Sequence, residues 1–201
     1  MKLYFTPGAC PLAVHILLCE LNLPHELVQV DLKTKKLADG SDYTAINPKG
    51  YVPALQLDSG DVLTEIPAIT QYLADNHPAA GLLGKPGSLE RTRAIEWLTF
   101  AGTELHRNFS PLFNPAASDD WKAAAKDKLL QRLAYVDQAL AGKHYILGTN
   151  FSIADTYLFT VINWTFLRQI DISHLPNLVA YHQRVAQRPA VQAALKAQGL
   201  I

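Results

Sequence analysis

The stretch that decides the fold is Lys2-Leu3-Tyr4-Phe5-Thr6-Pro7-Gly8-Ala9-Cys10-Pro11, followed by Leu12-Ala13-Val14-His15-Ile16-Leu17-Leu18-Cys19. Lys2–Thr6 reads as a short strand that Pro7-Gly8 stops. Pro11–Leu21 reads as a helix, with Leu12, His15, Ile16 and Cys19 at helical spacing and Pro11 suited to a first turn. Cys10 therefore falls at or beside a helix N-terminus, where unpaired backbone N–H groups and the helix dipole stabilise negative charge. A thiol so placed is expected to have a lowered pKa and to be partly thiolate at neutral pH. The rival reading is a small buried residue packing the strand–helix junction. Cys19, inside the helix on its apolar side, reads as core filling.

Outward from this unit, element types alternate. Glu26–Asp31 alternates as a strand, and Asp42–Ile46 reads as a short helical turn ending at Asn47-Pro48-Lys49-Gly50. Pro53–Leu57 and Val62–Thr64 read as strands joined by Asp58-Ser59-Gly60-Asp61. Glu65–Asn76 is a further helix, with Pro67 in its first turn. The order βαβ and then ββα implies a small mixed sheet with helices packed on it. Tyr51-Val52-Pro53-Ala54 leads into its third main strand. A cis Val52–Pro53 bond would leave the Val52 backbone free to pair with a peptide, and sequence alone leaves the isomer open. At Thr64-Glu65-Ile66, exposed amides can hold a carboxylate while Glu65 faces an ammonium group, the two partners an amino-acid head group needs. Glu65 acting only on the helix dipole is the rival.

The second part reads as all-helical. Its candidates are Ser88–Phe113, Asp119–Leu140, Ile153–Gln169, Pro176–Gln187 and Ala190–Ala197. Ser152-Ile153-Ala154-Asp155 is a capping-box start, so Asp155 reads as a helix cap and not as a catalytic acid. Thr99, Thr103, His106, Ser110 and Phe113 step by three or four and share a face suited to a pocket wall. A hydrogen-bonded structural histidine is the rival reading of His106. Phe113 and Trp164 are the aromatics retained as candidate pocket residues.

Composition agrees with a division. The 201 residues carry 18 Lys+Arg against 18 Asp+Glu, yet residues 1–80 hold 5 against 9 and residues 81–201 hold 13 against 9. Every Arg and Trp lies after position 80. The Pro- and Gly-rich run 78–87 suits a linker, giving expected domains at 1–77 and 88–201. Neutrality disfavours a nucleic-acid protein or an anionic-membrane binder. No apolar run reaches the roughly 18 residues of a membrane span, and no secretory signal opens the chain. A cytoplasmic setting is the expectation. Cys10 and Cys19 on one helix would stand about 13 Å apart, beyond disulfide reach. No Cys-x-x-Cys pair, spaced metal-ligand cluster, or Walker or Rossmann glycine pattern is seen, so no metal is expected.

Taken jointly, these residues resemble the glutathione transferases: a first-strand Cys without a resolving partner, Val-Pro before a strand, Thr-Glu at the next helix start, and Ser-Ile-Ala-Asp in a helical second half. Met1-Lys2-Leu3-Tyr4, Pro7-Gly8-Ala9-Cys10, Asn47-Pro48-Lys49-Gly50, Gln71-Tyr72-Leu73-Ala74-Asp75, Ala154-Asp155-Thr156-Tyr157-Leu158-Phe159 and Gly199-Leu200-Ile201 are similar to the bacterial beta class. The resemblance covers essentially the whole chain. It implies an α/β plus all-α fold: a thioredoxin-like domain (βαβαββα) and a C-terminal helical domain that forms the second-substrate pocket and dimer contacts.

It implies also that glutathione is the cosubstrate, that Cys10 faces its sulfur and can form a mixed disulfide, and that Lys35 meets the glycyl carboxylate. The Val52 backbone, beside Tyr51 and Pro53, would pair with the cysteinyl unit, and Glu65 with the amide of Ile66 would clamp the γ-glutamyl end. His106 matches a histidine near the sulfur, and Thr103, Glu104 and Arg107 fall among the glutathione contacts, Glu104 reaching a partner subunit's glutathione. Phe113 and Trp164 would line the pocket for a hydrophobic electrophile, and a homodimer is implied. Tyr51, Ile66 and Thr99 replace the more usual Gln, Gly or Ser, and Asn. Conjugation with thiol-transfer or peroxide reduction is the leading expectation. Reductive dehalogenation in aromatic degradation, suggested by Tyr51, and a non-enzymatic ligand-binding or regulatory role are the alternatives.

Overall fold

The computed structural model describes residues 1–201. The chain forms two compact units, Met1–Gly81 with Arg188–Ile201, and Leu82–Gln187.

In the first unit, β1 (Lys2–Phe5), β2 (Glu26–Asp31), β3 (Lys36–Leu37), β4 (Ala54–Gln56) and β5 (Val62–Thr64) make one mixed sheet in the order β3-β2-β1-β4-β5. β1 runs parallel to β2, with Leu3 opposite Leu27, and antiparallel to β4, with Leu3 opposite Leu55. β4 and β5 form the antiparallel hairpin expected from the Asp58–Asp61 turn. Helix α1 (Leu12–Glu20) makes the crossover between β1 and β2, and α2 (Ile66–Asp75) follows β5. The α/β class stands as the sequence implies, with one strand, β3, added. The short helical turn expected at Asp42–Ile46 is a 3-10 turn, Tyr43–Ala45, capped by the Asp42 carboxylate on the Thr44 N–H. The two-residue β3 is too short to show an alternating pattern.

Leu12 through Leu18 of α1 are all buried, which is why that stretch reads as an almost unbroken apolar run. Helix α2 covers part of it, and α8 (Pro189–Ala197) packs on it from the far end of the sequence. Arg188 clamps Glu20 there in a two-pronged pair, Nε–Oε1 at 2.6 Å and NH2–Oε2 at 2.9 Å. Gln198 Oε1 accepts from the Gly8 N–H at 3.1 Å. The second unit thus starts at Leu82, inside the expected linker 78–87, and Arg188–Ile201, expected in the helical domain 88–201, belongs to the first unit.

The second unit is helical: α3 (Leu89–Phe100), a π-helical segment Ala101–His106, α4 (Arg107–Phe113), α5 (Asp119–Ala139), α6 (Ile153–Leu167) and α7 (Pro176–Ala186). Ser88 caps α3 by accepting from the Arg91 N–H, and Ser118 caps α5 through the Trp121 N–H. α6 is the core element, buried at Ile153 through Ile162. Asp155 within it is fully buried and accepts from the Ile146 N–H (2.9 Å), the Ser152 N–H (2.9 Å), the Ser152 hydroxyl (2.8 Å) and the Tyr181 hydroxyl (3.1 Å). That is the capping box expected from Ser152-Ile153-Ala154-Asp155, extended to two further elements. The single helix expected over Ser88–Phe113 is instead interrupted by the π segment, a feature that concentrates at functional sites. Pro111, inside α4, has no N–H to return to the Arg107 carbonyl.

Candidate active site

The β1–α1 turn places Cys10. Gly8, at φ +71°, takes the left-handed conformation that lets the chain reverse after Pro7. Cys10 lies two residues before α1, only 9% exposed, and its thiol donates to the Val52 carbonyl at 3.3 Å. The expected lowering of its pKa is corrected by this geometry. Burial, with the Glu65 carboxylate adding to it, pushes the thiol up to about 12, so Cys10 is a neutral hydrogen-bond donor in the free protein.

The loop before β4 brings the remaining candidates of this unit together. Val52–Pro53 is cis, and both residues are buried. The Tyr43 hydroxyl (2.9 Å) and the Asn47 side-chain amide (2.7 Å) both donate to the Tyr51 carbonyl, fixing the backbone ahead of Val52. Lys35, held at φ +59°, donates its ammonium to the Gly50 carbonyl at 2.6 Å. Glu65 precedes α2 at φ +70°, a conformation that costs a non-glycine residue about 1–3 kcal/mol. Its carbonyl already accepts from the Ala68 and Ile69 N–H groups, and Pro67 offers none, so the Ile66 N–H is the first-turn donor left over.

The Glu65 carboxylate sits between two donors. Lys49 Nζ and the Tyr51 hydroxyl both reach its Oε1 at 2.7 Å, and Lys49 also reaches the Thr64 hydroxyl at 2.9 Å. The Lys49 bond first, then the Tyr51 bond, hold the Glu65 carboxyl below the usual range, so it is anionic. The Tyr51 phenol therefore braces Glu65. Lys49 was not among the sequence candidates. It lies 16 residues from Glu65, and its only local signal is its place in the Asn47–Gly50 turn.

In the helical unit the π segment carries Thr103, Glu104 and His106. His106 Nδ1 is 2.7 Å from the Tyr157 hydroxyl, and its ring meets Trp164 edge-on at 4.7 Å. Burial lowers its pKa to about 4, leaving a neutral imidazole. Trp164, 4% exposed, also packs edge-on against Phe109 (5.4 Å) and Phe113 (5.5 Å). His106, Phe113 and Trp164 are thus brought together, with Phe113 the exposed member at 45%. The other three are not part of this group. Thr103 donates back to the Thr99 carbonyl, Arg107 is exposed, and Glu104 pairs with Arg132 at 2.8 Å. Tyr157, an aromatic that reads as core in the sequence, is the partner of His106, and Arg132, the partner of Glu104, carries no sequence signal because it comes from a distant helix.

No helix is long and apolar enough to cross a membrane. The family described as glutathione S-transferase, N-terminal domain, matches residues 9–76, and its C-terminal domain counterpart matches residues 100–189. The chain is 48% identical to the glutathione S-transferase GstA of Escherichia coli O157:H7, with 100% of both chains covered. A bacterial beta class glutathione S-transferase of Sphingomonas chungbukensis is similar in structure, with a TM-score of 0.96, 49% identity and 100% of both chains covered. A sphingomonad glutathione S-transferase complexed with glutathione gives a TM-score of 0.95 at 50% identity, again over 100% of both chains. A thioredoxin-like unit with a cysteine at its first turn, a helical second half and full-length similarity to these enzymes agree: the chain belongs to the glutathione S-transferase family and is of the bacterial beta-class type.

Proposed function

We propose that the chain binds glutathione with its cysteinyl unit along the Val52 backbone and its sulfur at Cys10, and transfers it to, or uses it to reduce, an apolar electrophile. The observation that carries this reading is the 3.3 Å contact between the Cys10 thiol and the Val52 carbonyl, which sets the sulfur against the backbone proposed to pair with the cysteinyl unit. An incoming cysteinyl N–H would take over the Val52 carbonyl and release the Cys10 S–H toward the glutathione sulfur. At the other end, the anionic Glu65 and the Ile66 N–H suit the ammonium and carboxylate of a γ-glutamyl group. Lys35 is the cation proposed for the glycyl carboxylate. His106, Phe113 and Trp164 are proposed for the second substrate. Thr103, Glu104 and Arg107 stay in the proposal as glutathione contacts, Glu104 toward a partner subunit's glutathione, and a C2 homodimer is part of it. The groove of about 600 Å³ lined by Leu89, Trp97, Phe100 and Tyr135, among others, is the surface pairing would cover. Light scattering that gives the monomer mass at micromolar concentration refutes the dimer.

Thiol exchange is the second step of the same chemistry. Cys10–SH and glutathione disulfide give the Cys10–glutathione mixed disulfide and one reduced glutathione, with the Cys10 proton leaving on the released thiol. Intact mass after incubation with glutathione disulfide is expected to show one glutathionyl adduct on the wild type and none on Cys10→Ala. Because the resting thiol is protonated, the initial rate should rise about tenfold per pH unit between pH 7 and 9. Absence of the adduct refutes the exchange. A rate already level at pH 7 refutes the resting donor role of Cys10.

A further inference from the structure

Outside this site, α1 and the start of β2 bring together His15, Cys19 and His25. One candidate ligand atom from each lies within 4.8 Å of the others. His15 and Cys19 are four residues apart and so point from one face of α1. His25 comes from the turn before β2, and its ring meets that of His15 edge-on at 5.0 Å. We propose that His15, Cys19 and His25 form a binding site for zinc or a similarly soft divalent cation, with water as the fourth ligand.

The donor set fits that chemistry. Two imidazoles and a thiolate are the ligands zinc takes, at about 2.0–2.1 Å for nitrogen and 2.3 Å for sulfur, which sets neighbouring ligand atoms about 3.5 Å apart. Closing the cluster onto an ion therefore takes a contraction of about 1 Å, within reach of side-chain rotation. His25 is already oriented as a ligand. Its Nδ1 donates to the Leu23 carbonyl at 2.7 Å, which leaves the Nε2 lone pair for a metal. Cys19 and His25 are half-buried, giving the ion and its water a route in. The Cys19 thiol, raised by burial and then by Glu20, gives up its proton to solvent on binding, so affinity should rise with pH.

Gln198 controls the third ligand. Its Oε1 accepts from the Gly8 N–H, so its amide nitrogen faces His15 Nδ1 at 3.0 Å and donates to it. That arrangement puts the His15 proton on Nε2, whereas metal ligation through Nε2 needs the proton on Nδ1. Gln198→Glu replaces the donor by a second acceptor oxygen. A carboxylate can take both the Gly8 N–H and a His15 Nδ1–H, the pairing that raises a ligand's basicity.

The test titrates Zn²⁺ alone into the untagged, reduced, full-length chain against a chromophoric chelator, with Co²⁺ as the spectroscopic probe. One ion per chain is expected, with a sulfur-to-cobalt charge-transfer band. Cys19→Ser and His25→Gln should each weaken Zn²⁺ by at least about tenfold, Cys19→Ser should abolish the band, and Gln198→Glu should tighten Zn²⁺ by about tenfold. Cys10→Ser should keep both the affinity and the band. Circular dichroism of each variant checks that it is folded. A wild-type affinity no better than that of the Cys19→Ser/His25→Gln double variant overturns the site, as does a band that follows Cys10. A Gln198→Glu chain that binds no tighter overturns the tautomer argument.

Discussion

Acid should weaken this fold well before its carboxylates titrate, and His15 should account for a measurable share. The ring is 2% exposed, and burial lowers its pKa from the ordinary 6.5 to about 4. The unfolded chain therefore binds a proton that the folded chain refuses. The stability this histidine contributes is fully present above pH 6.5 and is lost as pH falls toward 4. Between pH 7 and pH 5 the linkage amounts to about 2 kcal/mol. His106 and His182 are lowered to about 4 by burial as well and add to the total. Urea unfolding at pH 7 and pH 5, with EDTA present to keep metal off the His15 cluster, measures the total. The diagnostic quantity is the difference between wild type and His15→Gln. The variant should lose about 2 kcal/mol less over the same interval, and carboxylate contributions, common to both chains, cancel. Equal losses within about 0.5 kcal/mol would refute the assignment of the proton to His15, a margin matching the agreement expected of independent sites.

Two further substitutions test the remaining claims. Asp155→Ala strips partners from the Ile146 and Ser152 N–H groups and the Tyr181 hydroxyl, all buried. At about 1–3 kcal/mol for each orphaned donor, the loss should be about 4 kcal/mol in urea, and a loss below about 1.5 kcal/mol contradicts the network. Glu65→Gln removes the charge proposed for the γ-glutamyl ammonium and should raise the KM for glutathione about 10–100-fold with kcat little changed. Tyr51→Phe, which removes only a brace on Glu65, should raise it about 2–10-fold, and the reverse order would contradict the bracing role.

Much of the first unit was legible because its signals are local. Pro7-Gly8 before an apolar run, the Asp58–Asp61 turn and Pro67 in a first turn each set a boundary by chemistry that a neighbour-by-neighbour reading detects. The capping box at Ser152–Asp155 was legible for the same reason. What escaped depends on residues far apart in sequence. Lys49 meets Glu65 only after a hairpin folds back. Arg188 reaches Glu20 across 168 positions and carries α8 to the first unit. His25 joins His15 and Cys19 only because the chain reverses between Leu21 and Pro24, so two ligands at helical spacing lacked a visible third.

The thiol of Cys10 shows how a sound local rule is outweighed. A helix N-terminus is worth about 0.3–1 kcal/mol to a nearby negative charge, less than one pKa unit. The rise from 9.0 to about 12 corresponds to roughly 4 kcal/mol in the opposite sense, because the sulfur is buried, with the Glu65 carboxylate adding to the effect. Desolvation wins by several-fold, and it cannot be read from a sequence position. Backbone strain supplies the signal that does locate the site. Of the four non-glycine residues at positive φ, Lys35 and Glu65 are both proposed glutathione ligands, and Gly8 and Gly50 take the same left-handed conformation beside Cys10 and Tyr51. Such strain persists only where surrounding structure holds it. Here the bonds from Lys49 and Tyr51 to Glu65, and from Lys35 to Gly50, are what hold it. Three surface side chains thereby fix the backbone on which the proposed peptide ligand would be read.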